Sequence, residues 1–274
     1  MSLAPWVVLL CLAFSGCAER RARDHVARLA DPSAAIRQDA SIELIEIGPP
    51  AVRPLIEAAD RGSDSLKYIA AQILGNIGDS DAIPFLRRCA QERNVFVRQE
   101  AVRALGSMGE AALIPTLVQM LKSDPHPQVR IAAAQGLGNL RDTSVVAPLI
   151  EALEDSMPLV RHHVLQVLNR LWNPSVERVV LRAVKDPDET IRYIAVQMLG
   201  QRQTSQGLEI LRAVLRDPNP WIRAEAAYSL SRLGDPRVVP DLEHLLGGSD
   251  PEDPDYEAAR QALRTLTGMD YAVE

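Results

Sequence analysis

Aromatic side chains are scarce in this 274-residue sequence: three Trp, three Phe and five Tyr, 4% of the chain. No run of them offers successive stacking platforms for nucleic-acid bases. An excess of positive charge is also missing. Thirty Lys and Arg face 36 Asp and Glu, for a formal net charge of -6. Binders of nucleic acid neutralise phosphates and carry the opposite balance, so that partner class is excluded. Cysteine is limited to Cys11, Cys17 and Cys89, which is no disulfide framework. The 15 glycines are dispersed, with none of the clustered loops that cradle phosphates. The one long apolar stretch, Leu3 to Phe14, is too short to cross a bilayer comfortably. No local Ser-His-Asp or Cys-His signature is present.

What is present is a repeat. A nine-residue pattern (apolar, basic, two free positions, small, three free positions, Leu) begins at Ile36, Leu66, Val97, Val129, Val160, Ile191 and Ile222. The basic residue is Arg37, Lys67, Arg98, Arg130, Arg161, Arg192 or Arg223. The small residue is Ala40, Ala70, Ala101, Ala133, Val164, Ala195 or Ala226, and the Leu is Leu44, Leu74, Leu105, Leu137, Leu168, Leu199 or Leu230. A near-constant period of this length marks stacked units, each burying its apolar face against its neighbours.

Each unit reads as a helical hairpin. In the seventh, Ile222, Ala226, Leu230 and Leu233 fall on one helical face. Pro220 suits the first helical position and Asn219 the N-cap. Gly48, Gly78, Gly109 and Gly234 stand where a left-handed C-terminal residue is needed. Val238, Val239, Leu242, Leu245 and Leu246 begin a second helical run. The recurrent Gly75, Gly106, Gly138 and Gly200 lie inside first helices. A glycine there costs about 1 kcal/mol relative to Ala, which predicts close approach of a neighbouring helix.

Asp186-Pro-Asp-Glu-Thr-Ile-Arg-Tyr-Ile-Ala-Val-Gln-Met-Leu-Gly, Asp217-Pro-Asn-Pro-Trp-Ile-Arg-Ala-Glu-Ala-Ala-Tyr-Ser-Leu and Asp235-Pro-Arg-Val-Val-Pro-Asp-Leu resemble HEAT repeats of the short bacterial type also found in phycobilisome lyase-like proteins. The resemblance covers residues 31–246. It implies an all-α fold, an α-solenoid in the form of a right-handed superhelix of about seven hairpins with terminal caps. It also implies that Asp31, Asp124, Asp155, Asp186 and Asp217, each five residues before an anchor, form a structural ladder with the basic row. Unit two departs with Arg61 at that offset, and unit three carries Glu92. The second helices are expected to line a concave surface. Glu57, Arg87, Gln119, Glu151, Arg212 and Glu243 are its candidate partner-facing residues, and their mixed charge suits a protein or peptide. The fifth unit diverges through His162-His163, Val164, Asn169 and Leu171-Trp172-Asn173-Pro174. Adjacent helical residues point about 100° apart, so the paired histidines do not make a metal site by themselves.

The ends carry their own expectations. Residues 1–16 resemble a lipoprotein-type signal peptide: Ala13-Phe14-Ser15-Gly16-Cys17 is similar to a lipobox, which makes Cys17 the expected lipidation site. Ala18 follows, in place of the Asp that marks inner-membrane retention in enteric bacteria. The expected location is therefore the bacterial cell envelope, anchored in the outer membrane and facing the periplasm. Residues 17–30 are expected to form a tether and an N-terminal cap helix, and residues 247–274 a C-terminal capping helix and tail.

The leading expectation is a non-catalytic, lipid-anchored HEAT-repeat scaffold that binds an unidentified protein or peptide partner, with no cofactor and no metal. The alternative is a lyase-like or hydroxylase-like HEAT enzyme, or an enzyme-accessory subunit, in the cytosol. Deoxyhypusine hydroxylase shares the repeat but holds di-iron through His-Glu steps; His25, His126, His162, His163 and His244 form no such step. Phycobilin lyases work in the cytosol of phototrophs, against which the export signal argues.

Overall fold

A computed structural model describes the backbone of residues 5–140 and 142–271, and side chains over the same stretches from residue 16 onward except residue 205. All regular structure among the described residues is helical. The chain divides into two compact units, residues 1–145 and 146–274.

The first unit contains α1 (Pro5–Arg28), α2 (Ala34–Ile47), α3 (Val52–Asp60), α4 (Asp64–Ile77), α5 (Ile83–Cys89), α6 (Val95–Ser107), α7 (Ile114–Ser123) and α8 (Pro127–Asn139). Helices α2, α4, α6 and α8 are the first helices of successive repeats and stack side by side in chain order. Helices α3, α5 and α7 form the second layer, each packed on the first helix that follows it. The second unit repeats the scheme. Its first-layer helices are α10 (Pro158–Arg170), α12 (Glu189–Arg202), α14 (Pro220–Leu233) and α16 (Pro254–Thr267). Its second layer is α9 (Val146–Glu151), α11 (Pro174–Ala183), α13 (Ser205–Val214) and α15 (Val239–Gly248).

Local sequence explains where these helices start and stop. Asn94, Asp188 and Asn219 cap α6, α12 and α14 by accepting first-turn N–H groups. Gly78 and Gly234 end α4 and α14 in the left-handed conformation. A short 3-10 turn leads into each of α3, α5, α7, α9 and α15. Pro54, Pro84, Pro115, Pro148 and Pro240 follow within their first turns, where a missing N–H leaves no helical partner unsatisfied.

The repeat pattern is the core. All seven repeated Leu residues are fully buried, as is the small residue four positions before each. The smallest side chains set how near the helices come. A Cβ added to Gly106 on α6 would stand 2.4 Å from the Cα of Gly136 on α8. Glycine on both sides is what permits the crossing. Gly136 lies outside the recurrent glycine register, so this pair is a contact that the periodicity does not single out.

The two ends extend the stacks. The polar helix expected within residues 17–30 is the C-terminal part of the longer α1, which runs unbroken through Cys17 and packs on α2 and α3 with Ala22 buried. Gly16 is too mild a breaker to separate the apolar stretch from the polar one. At the other end α16 lays Ala258, Ala259, Ala262 and Leu263 against α14 and α15. The tail residues 272–274 lie outside the described residues.

Candidate functional site

The basic row and the row of aspartates meet across repeats. Arg98 Nε donates to Asp124 Oδ2 at 2.9 Å and Nη2 to Oδ1 at 3.1 Å. Arg161 grips Asp186 at 2.9 and 2.6 Å, and Arg192 grips Asp217 at 2.8 and 3.1 Å. Each is a two-pronged guanidinium–carboxylate pair between one repeat and the next, a fit that Lys cannot reproduce. The third guanidinium nitrogen turns back to its own repeat. Arg130, Arg161, Arg192 and Arg223 donate Nη1 to the carbonyls of Asp124, Asp155, Asp186 and Asp217 at 2.9 to 3.1 Å. The aspartates are themselves oriented: Asp124, Asp155, Asp186 and Asp217 each accept the backbone N–H two residues ahead. Arg192 is held above its ordinary value mainly by the hydrogen bond to Asp217.

The departures follow the same geometry. Lys67 donates to Glu92, which stands in for the missing Asp. Arg37 donates to the carbonyls of Asp31 and Pro32 at 2.7 and 2.9 Å, and Asp31 Oδ1 accepts from Ser33 N. At the far end, Arg223 Nε donates to Asp255 Oδ2 at 2.7 Å. Asp255 is fully buried and also accepts from the Ser249 hydroxyl. It escapes the sequence pattern because it stands 32 residues beyond its arginine, against 25 or 26 elsewhere, with the 247–255 insertion between. Most of the basic row is thus sunk between helices and unavailable to a partner.

The candidate partner-facing residues sit on second-layer helices, Glu57, Arg87 and Gln119 in the first unit and Glu151, Arg212 and Glu243 in the second. Glu57 pairs with Arg53 at 2.8 Å, Arg87 donates to the Ala112 carbonyl at 3.3 Å, and Glu243 accepts from the Tyr271 hydroxyl at 3.2 Å. Gln119 and Glu151 are exposed. Arg212 donates to Asp241 at 2.6 Å and to Glu209 at 3.2 Å. Two clefts open beside these helices in the second unit. One of about 310 Å³ has Glu151, Arg161, Arg182 and Asp186 in its wall. The other, about 400 Å³, is bordered by Arg212, Arg216, Arg223, Asp241, His244 and Ser249.

Other sequence features find plainer places. In the fifth unit Arg202 donates to the Asn169 carbonyl at 2.5 Å and stacks 5.1 Å from the Trp172 ring, so the irregular turn is a joint to the next repeat. The rings of His162 and His163 lie 5.3 Å apart. Burial, and then the neighbouring His163, lowers the pKa of His162. Burial drives the Cys89 thiol up to about 11. Cys17 is exposed on α1, and no helix of the described residues is long and apolar enough to cross a membrane. Among the described residues no three His, Cys, Asp or Glu side chains are grouped to hold a metal ion.

Stacked helical hairpins joined by an Arg–Asp ladder fit the model for HEAT repeats, which matches residues 52–125, 114–182 and 176–264. The chain belongs to the HEAT-repeat family. This HEAT-repeat protein is 31% identical to deoxyhypusine hydroxylase of Candida glabrata over 39% of its own length and 34% of that protein. It is 32% identical to phycocyanobilin lyase subunit alpha of Synechococcus elongatus, over 34% of its length and 35% of that protein. The chain spans about a third of the length of these curated relatives. Among solved structures, Escherichia coli YibA superposes with a TM-score of 0.61 at 20% identity, covering 97% of this chain and 98% of that one. That likeness establishes the fold alone.

Proposed function

We propose that this HEAT-repeat protein is a lyase-like enzyme subunit, or the accessory subunit of such an enzyme, working on a protein substrate in the cytosol. This corrects the expectation of a non-catalytic, lipid-anchored scaffold. The finding that overturns that expectation is the identity of the relatives, which are named as a hydroxylase and as a lyase subunit. The scaffold expectation arose because a stacked repeat announces its shape and hides its chemistry, and because the signal-peptide resemblance of residues 1–16 argued against a cytosolic enzyme.

Between the two enzyme classes, the donor set favours one. A di-iron centre needs several His and carboxylate ligands converging on one place. Only His162 and His163 lie together among the five histidines, and no group of three or more ligands forms among the described residues. The hydroxylase-like form therefore does not fit these residues, and the lyase-like form is favoured. The cleft bordered by Arg212, Arg216, Asp241 and His244 offers hydrogen-bonding and charged groups of both signs around about 400 Å³, which suits a polar substrate surface.

The test is deletion of the gene in its host, followed by intact-mass analysis of the proteome and cell fractionation. The expected result is one protein losing a covalent mass increment, regained with wild type and not with Arg216→Glu. The chain itself is expected in the soluble fraction. An unchanged proteome, or palmitate label on Cys17 with the chain in membranes, would overturn the proposal. Stoichiometric iron in the purified protein would move it to the hydroxylase class.

A further inference from the structure

Six positions recur together in two places and nowhere else in the repeat. The first set is Asp64, Ser65, Tyr68, Asn94, Phe96 and Val97; the second is Glu189, Thr190, Tyr193, Asn219, Trp221 and Ile222. Each set lines a notch, of about 410 and 320 Å³, one within each unit of the chain. Corresponding members are 125 residues apart, as in Tyr68 and Tyr193 or Phe96 and Trp221. Of the seven repeat copies, only those anchored at Leu66 and Ile191 carry an acid two residues before the anchor and Tyr two after. Only the copies directly following them carry Asn three before the anchor and an aromatic residue one before.

The side chains are arranged alike. Asn94 Nδ2 donates to Asp64 at 3.0 Å, and Asn219 Nδ2 donates to Glu189 at 2.8 Å. Both carboxylates are exposed, and neither has an ion-pair partner among the described residues. Phe96 and Trp221 are each 66% exposed, while the tyrosines are half-buried beside them. Four of the chain's eleven aromatic residues are spent on these notches, and the two outer rings contribute little to the core. Large exposed rings at corresponding places in a chain poor in aromatics mark contact surfaces.

We infer that each notch is a docking site for one arginine side chain of a basic segment on a partner protein. The chemistry of the wall selects this occupant. An arginine presents an apolar stem and a flat cation that stacks on aromatic faces. The unpaired carboxylate of Asp64 or Glu189 stands at the rim to meet the charge. The helix N-termini at the notch carry about half a positive charge each, which argues for an anion. The formal charge of the first-turn carboxylate outweighs it, the Asn caps already occupy first-turn N–H groups, and the net charge of -6 draws a basic segment. The inference stands apart from the proposed enzymatic role, since no residue lining either notch lines the cleft at Arg216 and His244.

Nuclear magnetic resonance titration of the full chain tests it, using the pentapeptide Ac-Gly-Ser-Arg-Ser-Gly-amide and its citrulline counterpart, which keeps the shape and loses the charge. The Trp221 indole and Phe96 ring signals are expected to shift with the arginine peptide, and the citrulline peptide to bind about tenfold more weakly. Phe96→Ala should abolish shifts around residues 64–97 and leave those around 189–222 intact; Trp221→Ala should do the reverse. Both outer rings are exposed, so both variants fold. Equal binding of the citrulline peptide, shifts spread over the acidic surface, or a preference for the glutamate counterpart of the peptide would each overturn the inference.

Discussion

Replacing Gly106 by Ala should destabilise the protein, although the same change in most helices stabilises. The gain is the usual one: Ala is favoured over Gly in a helix by about 1 kcal/mol. The loss comes from α8. A Cβ at residue 106 would stand 2.4 Å from Gly136 Cα and 3.5 Å from the neighbouring backbone C and N. Carbon atoms rest comfortably about 3.5 to 4.0 Å apart, so α8 must retreat by about 1 Å. Backbone cannot rotate aside as a side chain can. Retreat loosens the buried layer that α6 and α8 share, including Leu105 and Leu137. Overpacking of this kind costs about 1–3 kcal/mol, leaving a net loss of up to about 2 kcal/mol once the propensity gain is subtracted. Gly247→Ala is the control. That residue lies near the end of α15 with nothing within 4 Å of an added Cβ, and the change should gain a few tenths of a kcal/mol. Urea denaturation of both variants, followed by circular dichroism at constant m, reads the two signs directly. A Gly106→Ala midpoint at or above wild type would refute the close-approach argument.

Leu137→Ala, at a fully buried position of the repeat, should cost about 2–5 kcal/mol in the same assay; a change near zero would remove that unit from the alignment. Arg192→Met leaves Asp217, only 8% exposed, without its guanidinium and should cost about 3 kcal/mol, with the double variant Arg192→Met, Asp217→Leu recovering most of it. Cys89, with its thiol pushed up to about 11 by burial, should resist iodoacetamide at pH 8 in the native protein and react once urea unfolds it. His162 should titrate below the ordinary histidine range in a nuclear magnetic resonance pH series, because burial and then His163 lower its pKa. The unfolded chain takes up that proton first, so the stability contributed by neutral His162 is complete above the ordinary histidine value. It is lost as pH falls from there through the lowered value.

The parts of this protein that depend on neighbours along the chain are legible in its residue order. Helical hairpins, their caps and the burial of Leu44 through Leu230 follow from a 3.6-residue period, from Asn and Asp before first turns and from Gly after last ones. Those signals act within one repeat and so survive in the text of the chain. The recurrent glycines at Gly75, Gly106, Gly138 and Gly200 announced helix contact without naming the partner helix. Beyond the ladder that the resemblance implied, the stacking of the helices sets which residues meet across repeats. It turned Arg98, Arg161 and Arg192 toward the aspartate of the following repeat, recruited Asp255 from beyond an insertion, and set Gly136 rather than a register glycine against Gly106. It also gathered Tyr68 with Phe96 and Tyr193 with Trp221, whose separations of 28 residues have no meaning until two first helices lie side by side. Such contacts depend on the stacking distance and rotation between repeats, which are set by packing of the whole interface and leave no local signature.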